Sequence, residues 1–126
     1  MKKSRVLTTV VLCLTVLILA QSTVYAGSAS VHLDYDDSSV VSSVIGLSNS
    51  VDISAINEKT SLWRVYSILH SSQPGKNWQK VRTVTMSVGG VDNGVYASVD
   101  SANFKLELNP RGWGFVGSKA YGNISY

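Results

Sequence analysis

From Gly27 onward the sequence follows a two-residue period. Val31, Leu33 and Tyr35 alternate with His32, Asp34 and Asp36, and Val51, Ile53 and Ala55 alternate with Asp52 and Ser54. The same pattern recurs with Val84, Met86 and Val88, with Val95, Ala97 and Val99, and with Phe104, Leu106 and Leu108. Side chains along an extended chain point to opposite faces in turn, so each run predicts a strand with one wet and one buried face. Residues 62–70 are apolar on both parities (Leu62, Trp63, Val65, Tyr66, Ile68, Leu69) and read as a more central strand.

Turn chemistry separates these runs: Gln73-Pro74-Gly75-Lys76, the GGVDNG stretch at 89–94, and Asn109-Pro110-Arg111-Gly112. The spacing predicts an all-β chain, a small antiparallel β-sandwich or barrel, as one domain over 27–126. One stretch reads two ways. Val40, Val41, Val44 and Ile45 recur at helical spacing after a capping Asp37 or Ser38, with Gly46 as a stop, which allows a short helix over 38–46. The same β-branched residues and serines suit a strand equally well.

The first 26 residues read as a secretory signal peptide. Lys2, Lys3 and Arg5 precede an apolar run from Val6 to Ala20, and Val24-Tyr25-Ala26 places small residues for cleavage between Ala26 and Gly27. The run is short of the ~20 apolar residues a membrane span needs. Cys13 lies inside it behind a bulky Leu12, which argues against a lipoprotein signal. It is also the single cysteine, so the exported domain is expected to fold without disulfides, on one core that buries about two thirds of the unfolded surface. A cysteine-free exported chain suggests a bacterial source.

Removal of the leader changes the electrostatics. Three of the eleven basic residues leave with it, and the remaining eight face eight acidic ones. A chain of zero net charge has no global drive to release counterions from a polyanion, which excludes nucleic acid as the main partner. The charges are uneven, however. Lys76, Lys80 and Arg82 cluster around Trp78, and Val81 and Val84 differ in parity, so the strand is irregular where the cations lie. Lys76, Trp78, Lys80 and Arg82 form the candidate binding patch, suited to anionic envelope polymers or lipid headgroups. The alternative is a solvated face neutralised by the acidic N-terminal part. Trp63 and Trp113 sit in strand patterns and are expected in the core.

Catalytic signals are thin. Gly112, Gly114 and Gly117 have G-x-G-x-x-G spacing, but Tyr121, Ile124 and Tyr126 after them predict a strand where a nucleotide fingerprint needs a helix. Ser118-Lys119 also transposes the P-loop order, so no nucleotide is expected. His32 and His70 alone make no closed zinc site. There is no G-x-S-x-G elbow. Asp34, Asp36 and Ser38 begin like a calcium loop, but Ser39 and Ile45 stand where glycine and glutamate are required. A different calcium site at Asp34, Asp36 and Asp37 stays open. The expectation is a non-catalytic protein without cofactor.

Three roles fit such a chain. In its exported, cysteine-free, β-rich plan it is similar to the lactococcin 972 type of bacteriocin, which implies an antagonist of other cells. The resemblance is of plan only and transfers no site residues. The others are a module that binds cell-wall polymer or matrix, and an inhibitor presenting residues 72–77 to a secreted enzyme. The expected partners are accordingly a cell-envelope polymer, a lipid surface or another secreted protein.

Overall fold

The computed structural model describes residues 27–111 and 115–126. The leader, Gly112, Trp113 and Gly114 lie outside the described residues. Seven strands follow one another without a helix among the described residues: β1 (Ser28–Leu33), β2 (Val40–Val41), β3 (Ile45–Asn57), β4 (Val65–Ser72), β5 (Gln79–Met86), β6 (Val91–Pro110) and β7 (Ala120–Ser125). All pairings are antiparallel, in the order β1-β7-β3-β6-β4-β5, with β2 also on β6.

Two long strands hold this sheet together. The first half of β6 pairs with β3, from Val91 opposite Ile56 to Ala97 opposite Ser50. Its second half pairs with β4, from Asn103 opposite Ser72 to Pro110 opposite Val65. Between these halves the β3–β6 register slips at Ser48–Ser50, where β6 runs from Ala97 to Ala102. Side chains stitch this bulge: Asn49 Nδ2 donates to the Val99 carbonyl at 3.1 Å, and Ser101 Oγ donates to Asn49 Oδ1 at 2.6 Å. Bulges bend and twist a sheet, and here the bend lays one half over the other. A Cβ on Gly122 of β7 would lie 2.6 Å from Leu106 Cδ2 of β6, so the two halves touch face to face and only glycine fits there. The sheet does not close into a barrel, because its terminal strands β1 and β5 do not pair.

The core lies between the halves. Phe104, Leu106 and Leu108 of β6 meet Leu33, Ile45, Val51, Val65, Leu69 and Ile124 there, all buried. The run at 62–70 that reads as central is largely β4, flanked by β5 and β6.

Four local expectations are corrected. The helical alternative for 38–46 is not adopted: Val40 and Val41 form β2 opposite Leu108 and Glu107, and Ser42 exchanges two hydrogen bonds with Leu106. Pairing with β6 uses the β-branched residues where a helix would crowd them. The turn in 89–94 falls earlier, with Gly90 N–H on the Ser87 carbonyl at 2.7 Å and Gly89 at φ 78°, so Asn93-Gly94 lies inside β6. Alternation in the first half of β6 is inverted. Val95 and Val99 face solvent, Val99 at 95% exposure, while Asp92 is buried and Tyr96 packs edge-on against Phe104 at 6.0 Å. Finally, Trp63 precedes β4 in a half-buried bend, donating from Nε1 to the Val116 carbonyl at 2.9 Å.

Candidate functional site

The β4–β5 hairpin carries all three cations predicted to act together. Its turn is set by Pro74 and Gly75: Gly75 has φ 73°, and Lys76 N–H meets the Gln73 carbonyl at 2.9 Å, the geometry of a type II turn. Ser72 Oγ donates to the Lys76 carbonyl at 2.8 Å and closes the loop further. A hollow of about 260 Å³ lies beside it, lined by Ser71, Gln73, Lys76, Asn77 and Gln79. The chain then enters β5, an edge strand, through Trp78.

A bulge in β5 decides which cations share a face. Leu69 lies opposite Arg82 while His70 lies opposite Lys80, so one extra residue, Val81, is inserted on the β5 side. Residues 80 and 82 of a regular strand would point the same way. With the insertion they point oppositely. Lys80 faces outward beside His70, whereas Arg82 shares the inward face of Leu69.

Arg82 is therefore separated from the patch. Its Nη1 and Nη2 each donate to one Asp92 oxygen at 2.7 Å, a bidentate pair with Asp92 only 3% exposed. Those hydrogen bonds are the leading reason the guanidinium is raised above its ordinary value. Gly94 makes the pair possible, because a Cβ there would collide with Arg82 Nη2. This also explains why the Asn-Gly dipeptide sits in a strand.

The outward face gains two residues that the sequence did not single out. Register places Lys80, His70 and Lys105 in one row across β5, β4 and β6. Adjacent strands lie ~4.8 Å apart, so the row spans about 10 Å. Lys105 Nζ stands 4.3 Å from the Trp78 ring centroid, a cation–π contact that holds the indole beside the row. Trp78 remains 37% exposed, and Lys76 is exposed at the turn above it. Nearby, His70 Nε2 is 3.6 Å from Glu107 Oε1 and has no hydrogen-bond partner. Burial lowers the His70 pKa from its ordinary 6.5; Glu107 opposes that shift, and Lys105 and Lys80 reinforce it. Lys105 was visible only as a wet-face residue of an alternating strand, and its approach to Trp78 depends on pairing between distant segments.

The other flagged residues do not converge. Asp37 Oδ2 accepts the Asp34 N–H at 2.9 Å, so that carboxylate serves its own turn. Among the described residues no three His, Cys, Asp or Glu side chains gather as a metal site. Gly117, at φ 108°, sits against Leu62 and leads into β7.

No protein-family model matches the chain, and no curated protein matches it. Among solved structures it is similar to the crystal structure of PirA, with 9% identity, a TM-score of 0.46, and coverage of 84% of this chain and 98% of that one. It is also similar to the crystal structure of Yersinia pseudotuberculosis-derived mitogen, with 8% identity, a TM-score of 0.41, and coverage of 81% and 76% respectively. At these scores neither structure transfers a residue or a role.

Proposed function

We propose that this chain is an exported, non-catalytic binding protein that docks on an anionic cell-envelope polymer through Trp78, Lys76, Lys80 and Lys105, with His70 mostly covered between the last two. The observation that carries this reading is the Lys80–His70–Lys105 row, with Trp78 stacked beneath Lys105. Lys105 on the Trp78 ring, with Lys80 in its row and Lys76 at the hairpin turn, offers point charges for phosphate or carboxylate and a flat surface for the polymer backbone. The face is open along a sheet edge, a shape suited to a long chain. Export rests on the signal-peptide pattern of residues 1–26, and N-terminal sequencing of secreted protein should begin at Gly27.

The direct test is binding of the purified 27–126 domain to poly(glycerol phosphate), with neutral wall glycan and anionic lipid vesicles as comparisons. Binding should weaken as salt rises, because exposed charges are screened within ~8 Å at physiological ionic strength. Lys80→Gln with Lys105→Gln should reduce it at least tenfold. Trp78→Ala should do the same at a stability cost of about 1 kcal/mol, well below that of a fully buried tryptophan. Binding that is indifferent to salt and to these substitutions would refute the reading. An antagonist role further requires growth inhibition of other cells that the same variants lose.

A further inference from the structure

The opposite half of the sheet carries a second feature, unrelated to the cationic face. On the outer side of β1, β7, β3 and β6, Ser30, Asn123, Ser54 and Asn93 lie in one row, and His32, Tyr121, Ile56 and Val91 lie in the next. Together they line a trough of about 620 Å³, within the range of small-ligand sites.

We infer that this trough is a carbohydrate-binding site for a neutral oligosaccharide, with Tyr121 as stacking platform and the Ser/Asn row as hydrogen-bonding rail. Three observations converge on that class. The first row is entirely hydroxyl and carboxamide, groups that both donate and accept, as sugar hydroxyls do. Its members are oriented by one another: Asn123 Nδ2 donates to Ser30 Oγ at 3.0 Å, and Ser54 Oγ donates to Asn93 Oδ1 at 3.2 Å. This leaves Asn123 Oδ1 and Asn93 Nδ2, an acceptor and a donor, without protein partners among the described residues. Second, the Tyr121 ring is stacked on His32 at 4.4 Å and 22° and is 38% exposed, so a fixed aromatic face lies beside the rail. An immobilised ring loses little entropy when the apolar face of a pyranose settles on it. Third, no Asp, Glu, Lys or Arg lines the trough. Lys119 meets Tyr121 from outside that lining, so a neutral ligand settles in the trough without desolvating an ion. Four strands at ~4.8 Å spacing make the rail about 14 Å long, a length that fits a short oligosaccharide better than one ring.

The experiment is calorimetric titration of the 27–126 domain with cellotetraose, chitotetraose and maltotetraose. At least one should bind with an affinity insensitive to salt between low and physiological ionic strength. Tyr121→Ala and, separately, Asn93→Ala should weaken that binding at least tenfold in protein whose far-ultraviolet spectrum shows it still folded. Trp78→Ala should leave it unaltered, so failure of this site and failure of the cationic face are distinguishable. The inference is overturned if none of the three sugars binds, or if binding survives both trough substitutions.

Discussion

Arg82 and Asp92 show how much a single pair can decide. Asp92 is nearly inaccessible, while the Arg82 side chain keeps about a fifth of its surface in solvent (21%). Removing one member of a buried pair strands the other, typically at a cost of 3–5 kcal/mol, because a desolvated charge is left without its partner. The stranded group here differs in exposure, so the effect should be asymmetric. Arg82→Ala leaves a buried carboxylate and should destabilise by about 3 kcal/mol. Asp92→Ala leaves a guanidinium that can swing into water and should cost clearly less. Urea denaturation of both variants checks this, and equal losses would contradict it. Asn57 does comparable work with a neutral group. Fully buried, its Nδ2 faces the carbonyls of Trp63, Met86 and Ser87 at 3.0, 3.2 and 3.3 Å and ties three segments together. Asn57→Asp would aim a carboxylate at those carbonyls and should prevent stable folding, whereas Asn57→Ala should fold with reduced stability.

At the scale of the element, the β4–β5 hairpin joins a structural device to a binding surface. The bulge at Val81 sends Arg82 inward and keeps Lys80 outward. His70 sits at the centre of the outward row, and its lowered pKa has two consequences. The unfolded chain, with histidine near 6.5, takes up the proton before the folded one. Stability should therefore be complete above about pH 6.5, fall as the pH drops towards the lowered folded value, and level off below it. His70→Gln should flatten that slope in a series of thermal unfolding curves. An anion seated over Lys80 and Lys105 favours the imidazolium, so binding to poly(glycerol phosphate) should tighten as the pH falls towards the lowered value of the free folded protein. That gain should disappear in His70→Gln.

Because β3 and β6 run through both halves, the described residues should unfold as one cooperative unit. Ile53 belongs to the half that carries the trough and Leu69 to the half that carries the cationic face, yet both sit in one core. Ile53→Ala and Leu69→Ala should each cost about 2–5 kcal/mol. Both should lower a single transition when followed by far-ultraviolet dichroism and by tryptophan fluorescence. Separate transitions for the two probes would mean that the halves fold independently. The first described strand pairs with the last, β1 on β7, so much of the sheet closes over long loops and folding should be slow for a domain of this size.

Period-two alternation was enough to establish an all-β antiparallel protein, because side-chain direction in a strand is a local property and the buried face must be apolar. The tight turn at Pro74-Gly75 was equally legible, since its chemistry lies within four residues. Alternation misled in the first half of β6. There the inward positions belong to Asp92, which is satisfied by Arg82 ten residues back on β5, and to Tyr96, which packs on Phe104 eight residues further along the bent β6; alternation records neither contact. The candidate patch divided for the same reason. Lys80 and Arg82 look equivalent in sequence, and a bulge defined by β4 separates them and brings in Lys105 and His70. The trough was not legible at all: Ser30, Ser54, Asn93 and Asn123 are scattered polar residues until register aligns them. Composition and periodicity report what each residue does to its neighbours in the chain, whereas pairing partners, bulges and the fold of one half of the sheet over the other are long-range choices, made by the packing of the common core.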